Sequence, residues 1–235
     1  MKTILITGGS SGIGKALVYL AVKKGYYVVF TYNKKRISAL KIQKKLKKCL
    51  PIKVDFLKNN SVTNLFKILI KKKLTIDCVI NNAAFNVKRK KFLDLNIDEV
   101  KKIYKVNVFS IYEIIKHYIK LMPKNKSWKT IVNISSTAAK FGGRLYTHYA
   151  PTKAAIENLT LGLSKELAKK HIRVLCVAPG IISSKLENRK NKKILKSIPN
   201  GRLGTPDEVA KLVLWLISDE AEYINGTTIT ISGGR

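Results

Sequence analysis

The chain alternates between short apolar runs and longer amphipathic stretches along its whole length. The apolar runs are rich in Ile and Val and lie at 3–7, 26–32, 52–55, 76–81, 130–135, 172–178 and 227–231. Runs of this length without polar alternation are typical of parallel strands that helices cover on both faces of a sheet. The pattern therefore predicts seven strands.

The stretches between these runs carry the periodicity of helices. They lie near 13–24, 36–48, 61–73, 97–121, 150–170 and 206–218. The last one is preceded by Thr205 and begins with Pro206-Asp207-Glu208, which is a capping residue followed by Pro and acids in a first helical turn. Alternating strands and helices predict an α/β fold, a doubly wound parallel seven-stranded sheet with helices on both faces (Rossmann fold). No linker, repeat or low-complexity tract divides the chain, so we expect residues 1–235 to form a single domain.

The three cysteines and the apolar runs bear on the cellular compartment. Cys78 and Cys176 fall inside predicted strands, and Cys49 is predicted to end the second helix. Their scattered positions fit neither a disulfide framework nor a zinc site, and we expect no metal. No apolar run approaches the roughly 20 residues of a membrane helix, and the first residues do not resemble a signal peptide. We expect a cytoplasmic protein with reduced thiols.

The net charge of +32 raises the question of nucleic-acid binding. The excess comes from 39 lysines against 7 arginines, and these are spread over nearly every predicted helix and loop. Arginine-led base readout and an interleaved aromatic platform are both missing. Compositional drift toward Lys, Ile and Asn explains the spread better, so we expect no specific nucleic-acid partner. A nucleic-acid role stays as a weak alternative, and survival of polyanion binding at physiological salt would test it.

A glycine-rich turn joins the first predicted strand to the first helix. It reads Thr7-Gly8-Gly9-Ser10-Ser11-Gly12-Ile13-Gly14. Gly8 permits a tight turn, Gly12 lets the backbone approach a pyrophosphate, and Gly14 allows the helix to pack close to the sheet. In this position the turn predicts nucleotide binding.

The spacing T-G-x-x-x-G-x-G resembles the short-chain dehydrogenase/reductase family, and the resemblance recurs along the whole chain. Ser136 precedes Tyr149 by thirteen residues, the common interval of that family. The remaining matches are Asn81-Asn82-Ala83-Ala84 where the family has N-N-A-G, Asn107 after Lys105-Val106, Tyr149-x-x-x-Lys153, Pro179-Gly180 and Gly233-Gly234. The stretch from Ile198 to Gly234 looks most like 3-oxoacyl-[acyl-carrier-protein] reductases.

The resemblance implies a catalytic tetrad of Asn107, Ser136, Tyr149 and Lys153. Tyr149 would be the general acid or base, and Lys153 would hold the nicotinamide ribose. A nearby ammonium favours a phenolate, so we expect Lys153 to lower the pKa of Tyr149 from its ordinary value of about 10. Ser136 would hydrogen-bond the substrate carbonyl, and Asn107 would hold a water that continues the proton relay. Pro151, inside the Tyr–Lys motif, is tolerated if it falls in the first turn of a helix.

The end of the second strand predicts the choice of nicotinamide cofactor. Tyr32 stands where relatives that prefer NAD carry Asp, and no acid is nearby in the sequence. We therefore predict NADP(H), with Asn33, Lys34 and Arg36 near the 2′-phosphate. The resemblance also implies that Asp55 contacts the adenine and Ser184 the carboxamide. The full set of predicted cofactor contacts is Gly8, Ser10, Ser11, Gly12, Ile13, Gly14, Asn33, Lys34, Asp55, Asn81, Ala83, Tyr149, Lys153, Pro179, Gly180, Ile182 and Ser184.

The resemblance predicts NADPH-dependent reduction of a keto group, most specifically a 3-oxoacyl thioester on an acyl carrier protein. A short substrate lid is expected at 184–199, and its cations would suit an acidic carrier, as would Lys170. These lid cations are Lys185, Arg189, Lys190, Lys192, Lys193 and Lys196. Compositional drift explains them equally well. The alternatives are the same chemistry on a free small ketone, aldehyde or alcohol, and a member without catalysis that binds nucleotide. The family's assembly implies a homotetramer formed through the helices at 97–121 and 150–170.

Overall fold

The computed structural model of the protein describes residues 1–123, 127–183 and 192–235, with only the backbone for residues 192 and 193. Within these residues, seven strands form one wholly parallel sheet in the order β3-β2-β1-β4-β5-β6-β7. The strands are β1 Thr3–Ile6, β2 Tyr27–Tyr32, β3 Cys49–Lys53, β4 Cys78–Asn81, β5 Lys129–Ile134, β6 Ile172–Pro179 and β7 Thr228–Ile231. The predicted fold class is confirmed.

Helices cover both faces of the sheet because successive strand residues point to opposite sides. Ile4 and Ile6 face a core formed with α1, α2 and α9, whereas Leu5 faces a second core formed with α3, α5 and α7. The helices are α1 Gly12–Lys23, α2 Arg36–Leu46, α3 Ser61–Lys71, α4 Ile97–Tyr104, α5 Ser110–Leu121, α6 Ala138–Phe141, α7 Ala150–Leu167, α8 Lys192–Lys196 and α9 Pro206–Leu216.

The structure differs from the predicted elements at β3. The strand begins at Cys49, three residues earlier than predicted, so the assignment of Cys49 to the end of a helix is wrong. The preceding helix ends at Leu46 because Lys47 adopts a positive φ of 53°. Pro51 makes the start of this strand hard to predict, because proline is rare inside strands. Proline is tolerated there because β3 is the outermost strand of the sheet.

The predicted helix at 97–121 also differs, because a π-helical turn over Lys105–Phe109 separates α4 from α5. Such turns are rare and occur frequently at functional sites. This one contains Asn107. No helix of the described residues is long and apolar enough to cross a membrane.

The strand order reverses between β1 and β4, where the chain crosses from one half of the sheet to the other. Connections that leave the carboxyl ends of these two strands diverge and open a cleft between them. The glycine-rich turn follows β1 and Asn82 follows β4, so both lie at the mouth of this cleft.

Candidate active site

The glycine-rich turn has the geometry of an anion cradle. Gly8 adopts a φ of +71°, and a Cβ on Gly14 would overlap the carbonyl oxygen of Gly8. The Ser11 side chain makes no cap hydrogen bond to α1, and the first turn of α1 holds no acid. The amides at this helix N-terminus are therefore available to a phosphate group.

A cavity of about 720 Å³ extends from this turn along the ends of β2 and β3. Among the predicted cofactor contacts, Gly8, Ser10, Ser11, Ile13, Asn33, Lys34, Asp55 and Ala83 line it. Lys35 and Tyr32 line it as well, and Arg36 does not. The size and the phosphate-binding end fit a dinucleotide.

Asp55 supplies the one carboxylate among the described residues that line this cavity. Its Oδ1 accepts hydrogen bonds from Asn33 Nδ2 at 3.2 Å and from the backbone N of Leu57 at 3.1 Å. Asn33 and Asp55 are thereby held together at the end of the cavity where Lys34 lies. Beyond β2 the cavity wall therefore carries two cations, Lys34 and Lys35, and one carboxylate, Asp55, which already accepts these hydrogen bonds.

Asn81 does not line the cavity. Its side chain is buried and donates a hydrogen bond to Asn133 Oδ1 at 2.8 Å. Asn82 faces the cavity instead, and its Nδ2 donates to the carbonyl oxygens of Thr7 and Gly8 at 2.8 and 3.3 Å. Asn82 therefore fixes the glycine turn, a role that the sequence reading did not assign. The paired asparagines indicated a polar role at this position. Which of the two faces the cavity follows only from the pleat of β4, which points successive side chains to opposite sides.

A buried polar chain explains how α7 is positioned against the sheet. Asn133 on β5 receives the hydrogen bond from Asn81 and donates one to Thr160 Oγ1 at 2.9 Å. Ser135 donates to Glu157 Oε1 at 2.7 Å. These bonds join β4 and β5 to the helix that follows Tyr149. Asn133, Glu157 and Thr160 belong to no recognisable motif, and the motif that contains Asn81 does not indicate this bond, so the sequence did not predict the chain.

Tyr149 and Lys153 lie at the start of α7, next to the end of β5. Tyr149 is the residue before the helix and Pro151 is its second residue, so no intrahelical amide bond is lost. The Lys153 ammonium lies 5.6 Å from the centre of the Tyr149 ring and donates to the carbonyl oxygen of Ile134 at 2.8 Å. Its side chain is 2% exposed. The helix therefore brings the predicted pair together.

The expected lowering of the Tyr149 pKa is wrong for this geometry. Burial, and to a smaller extent the nearby phenol of Tyr146, raises the pKa of Tyr149 to about 12. Burial also lowers the pKa of Lys153 to about 8. Both shifts favour the neutral form because each group has lost water, and the ammonium is directed at the Ile134 carbonyl rather than at the phenol. At neutral pH Tyr149 therefore keeps its proton and Lys153 its charge.

Ser136 follows β5 at the same edge of the sheet. Its Oγ accepts a hydrogen bond from the backbone N of Ala138 at 3.2 Å, so its own hydrogen is free to be donated elsewhere. Ser136 opens on a second cleft, which also includes Thr137, Lys140 and Glu157 and has a volume of about 780 Å³. It does not line the nucleotide cavity.

Asn107 lies in the π-helical turn with its side chain fully buried. Its Oδ1 accepts from the backbone N of Phe85 at 2.8 Å, and its Nδ2 donates to the Phe85 carbonyl oxygen at 3.0 Å and to Thr152 Oγ1 at 3.3 Å. These bonds tie the loop that follows β4 to α7, one residue before Lys153. The side chain thus has a positioning role, and the predicted water relay stays a prediction.

The remaining predicted cofactor contacts that the structure describes do not line the nucleotide cavity. Gly12 has a φ of +54° and open space above it. Pro179 ends β6, and Gly180 donates its backbone N–H to the Ile231 carbonyl oxygen at 2.9 Å. Ile182 pairs with Gly204 in an isolated bridge. Ser184 lies outside the described residues, as do Lys185, Arg189 and Lys190 of the expected lid; Lys170 and Lys196 are exposed.

Comparison with known proteins gives matches over nearly the whole chain. A family model described as enoyl-(acyl carrier protein) reductase matches residues 8–235. An uncharacterized oxidoreductase of Escherichia coli, YgfF, is 32% identical over 100% of both chains. The 3-oxoacyl-[acyl-carrier-protein] reductase of Chlamydia trachomatis is 33% identical, over 99% of this chain and 96% of that protein.

Solved structures give the same result. A 3-ketoacyl-(acyl-carrier-protein) reductase from Brucella melitensis, complexed with NADH, superposes with a TM-score of 0.92 at 28% identity. The match covers 100% of this chain and 98% of that one. The chain belongs to the classical short-chain dehydrogenase/reductase family and is an NAD(P)-dependent oxidoreductase.

Proposed function

We propose that this protein reduces a keto group with NADPH, and that its substrate is a 3-oxoacyl thioester carried by an acyl carrier protein. The direction of the reaction, reduction rather than oxidation, is inferred from the protonation state of the Tyr149 phenol. Tyr149, with a pKa of about 12, holds a proton to give at neutral pH. A largely buried phenol that keeps its proton at neutral pH can act as the general acid that reduction requires.

Each residue of the tetrad has a distinct task in this reaction. Ser136 donates its free O–H to the substrate carbonyl oxygen, which orients it and stabilises its developing charge. When bound, the reduced nicotinamide supplies the hydride. Tyr149 transfers its phenolic proton to the carbonyl oxygen, so that the alcohol forms and a phenolate remains. The Lys153 ammonium stabilises that phenolate and supports the cofactor ribose, and Asn107 anchors the adjoining loop.

The preference for NADPH is supported by the wall of the nucleotide cavity beyond β2. Tyr32 stands where an acid would favour the ribose hydroxyls of NAD, and Lys34 and Lys35 line the same wall. Asp55, the carboxylate of this region, is already bonded to Asn33 and Leu57. A 2′-phosphate would meet cations there.

The carrier-linked substrate is supported by similarity to 3-oxoacyl-[acyl-carrier-protein] reductases over nearly the whole chain. In this proposal residues 1–235 act as a single dinucleotide-binding catalytic domain, with the substrate lid at 184–199. The exposed Lys170 would meet acidic groups of the carrier. A free small ketone, aldehyde or alcohol is the second candidate, because similarity to YgfF favours no particular substrate.

We also propose a homotetramer. Apolar side chains are exposed on the helices that the family uses for assembly: Phe109 in the π turn, Tyr112 on α5 and Leu161 on α7 are 56%, 48% and 44% exposed. Exposed apolar groups grouped on neighbouring helices are typical of surfaces that another subunit covers. Sedimentation equilibrium of the protein would measure its subunit number.

The test is consumption of NADPH with three matched substrates: an acetoacetyl carrier protein, acetoacetyl-N-acetylcysteamine and a simple ketone. Turnover of the carrier-linked substrate above the free thioester supports the proposal, and equal turnover with the ketone favours the second candidate.

Tyr149→Phe should reduce kcat by about 10²- to 10⁴-fold while cofactor binding persists. Tyr223→Phe, at a fully exposed tyrosine, is the matched control. If Tyr149→Phe keeps its activity, the role of the general acid is refuted.

A further inference from the structure

Arg89, which is not part of the tetrad, has its guanidinium close to the ring of the proposed general acid. Its guanidinium carbon lies 4.7 Å from the centre of the Tyr146 ring. The Tyr146 ring centre in turn lies 6.0 Å from that of Tyr149. The two distances place the guanidinium within about 11 Å of the ring of the general acid.

Both sides of this contact are held in place. Lys90, the next residue, donates its backbone N–H to the Leu145 carbonyl oxygen at 3.3 Å, which joins the loop after β4 to the segment before α7. The Lys90 ammonium is bound to Glu99 at 2.6 Å. Tyr146 is fixed by its carbonyl oxygen, which accepts the backbone N–H of Tyr149 at 2.9 Å. Arg89 therefore extends from an anchored backbone over a fixed ring.

The guanidinium has no carboxylate partner within the described residues. The ion pairs found there do not include Arg89, and Glu99 of α4 is paired with the neighbouring Lys90. A guanidinium stacked on a ring face keeps the N–H groups of its edge free, and those groups match the two oxygens of a carboxylate or the oxygens of a phosphate. The stack also limits the entropy that the side chain loses when it binds an anion.

We propose that Arg89, stacked on Tyr146, binds an oxyanion at the far end of the substrate, so that the keto compound bears a carboxylate or a phosphate in addition to any thioester that links it to a carrier. The inference rests on the keto reduction proposed above and is independent of whether a carrier is attached. Because the carbonyl must reach the Tyr149 hydroxyl, the anion is expected about two to five carbon atoms from the reacting carbon.

The test measures binding to the enzyme saturated with NADP⁺, so it does not depend on turnover. The probes are 4-oxopentanoate, 5-oxohexanoate and 6-oxoheptanoate, the methyl ester of each, and 4-oxopentyl phosphate. At least one acid should bind about tenfold more tightly than its ester, which is the size expected for a partly exposed bidentate pair. The phosphate probe distinguishes the two sources of the oxyanion.

Three variants separate the subsite from the general charge of the protein. Arg89→Leu should abolish the preference for acid over ester, and Arg89→Lys should retain a part of it. Lys91→Leu removes the same charge from the same exposed loop and should leave the preference intact. Equal binding of acids and esters by the unmodified enzyme, no measurable binding of either, or equal effects of Arg89→Leu and Lys91→Leu would each overturn the inference.

The reduction of the esters, measured in parallel, tests the proposed function separately. Ester reduction without any preference for acids overturns the subsite and leaves keto reduction standing. A preference that depends on Arg89, with no ketone reduced, supports the subsite and counts against the proposed function.

Discussion

Replacing Lys153 by methionine should increase the stability of the protein near neutral pH while removing its activity. The lysine is 2% exposed, and burial lowers its pKa from 10.5 to about 8. In the unfolded chain the ammonium regains water, so below pH 8 the charged lysine favours unfolding. Methionine has a similar length and no charge, so it fills the site without this desolvation cost.

The size of the effect follows from the pKa shift. A shift of one unit corresponds to about 1.4 kcal/mol, so the buried charge costs about 3 kcal/mol at neutral pH. The substitution also removes the hydrogen bond to the Ile134 carbonyl oxygen, and an unsatisfied buried acceptor costs about 1 to 3 kcal/mol. We expect a net stabilisation of about 1 kcal/mol at neutral pH.

The change of this stability difference with pH tests the explanation more directly than its value at a single pH. Between the folded pKa of about 8 and the unfolded value of 10.5, the unfolded state binds more protons than the folded state. Stability of the unmodified protein therefore rises with pH in that window. The advantage of Lys153→Met should shrink by about 2 kcal/mol between about pH 6.5 and about pH 9.5.

Urea unfolding of both proteins at these two pH values, at one ionic strength and without added cofactor, measures this difference. The other lysines titrate alike in both proteins and cancel. Lys165→Met, at an exposed position of α7, is the control and should show no such change with pH. A Lys153→Met advantage that stays constant across the range would refute the claim that desolvation dominates this site.

Four further outcomes follow from the geometry. Because Lys153 loses its charge near pH 8, kcat/KM for ketone reduction should be flat below that pH and fall above it; an increase above pH 8 would contradict this role. Gly14→Ala should abolish cofactor binding in a fluorescence titration because its Cβ would overlap the Gly8 carbonyl, whereas Gly162→Ala, with open space around it, should bind normally. Thr205→Ala breaks the capping box of α9 and should lower the free energy of unfolding by about 1 kcal/mol in urea. Asn133→Leu leaves the buried Asn81 Nδ2 without its acceptor and removes one of the two hydrogen bonds of Thr160 Oγ1, and it should cost about 2 to 4 kcal/mol in the same assay.

The pattern of apolar runs was sufficient for the order and type of nearly all elements, because the five inner strands are buried on both faces. It misplaced the bounds of β3, because Pro51 and the lysines before Cys49 do not resemble the start of a strand. The Thr205 cap was predictable because it is a local interaction among four neighbouring residues, and the structure shows both of its hydrogen bonds.

The π-helical turn around Asn107 was not predictable from the pattern. Its cause is tertiary, because the Asn107 side chain bonds Phe85 on a loop 22 residues earlier in the chain. The bonds from Asn133 to Asn81 and Thr160 are equally long-range. Motifs therefore indicated the proposed reacting groups, but not the residues that hold them in position.

The raised pKa of Tyr149, opposite to the expected direction, has a consequence for the proposed catalysis. Spacing on a helix predicted attraction between Tyr149 and Lys153, but it gave no information on burial, and burial dominates both pKa shifts. Before the reaction the phenol is neutral, so the ammonium gains little from it. Once Tyr149 gives up its proton, a phenolate appears beside a buried ammonium in a site with little water, where their attraction is strong. In the proposed reduction Lys153 would therefore stabilise the transition state more than the resting enzyme, which is the condition under which an interaction increases kcat. The desolvation that makes Lys153 costly for folding is thus what makes it effective in the proposed reduction.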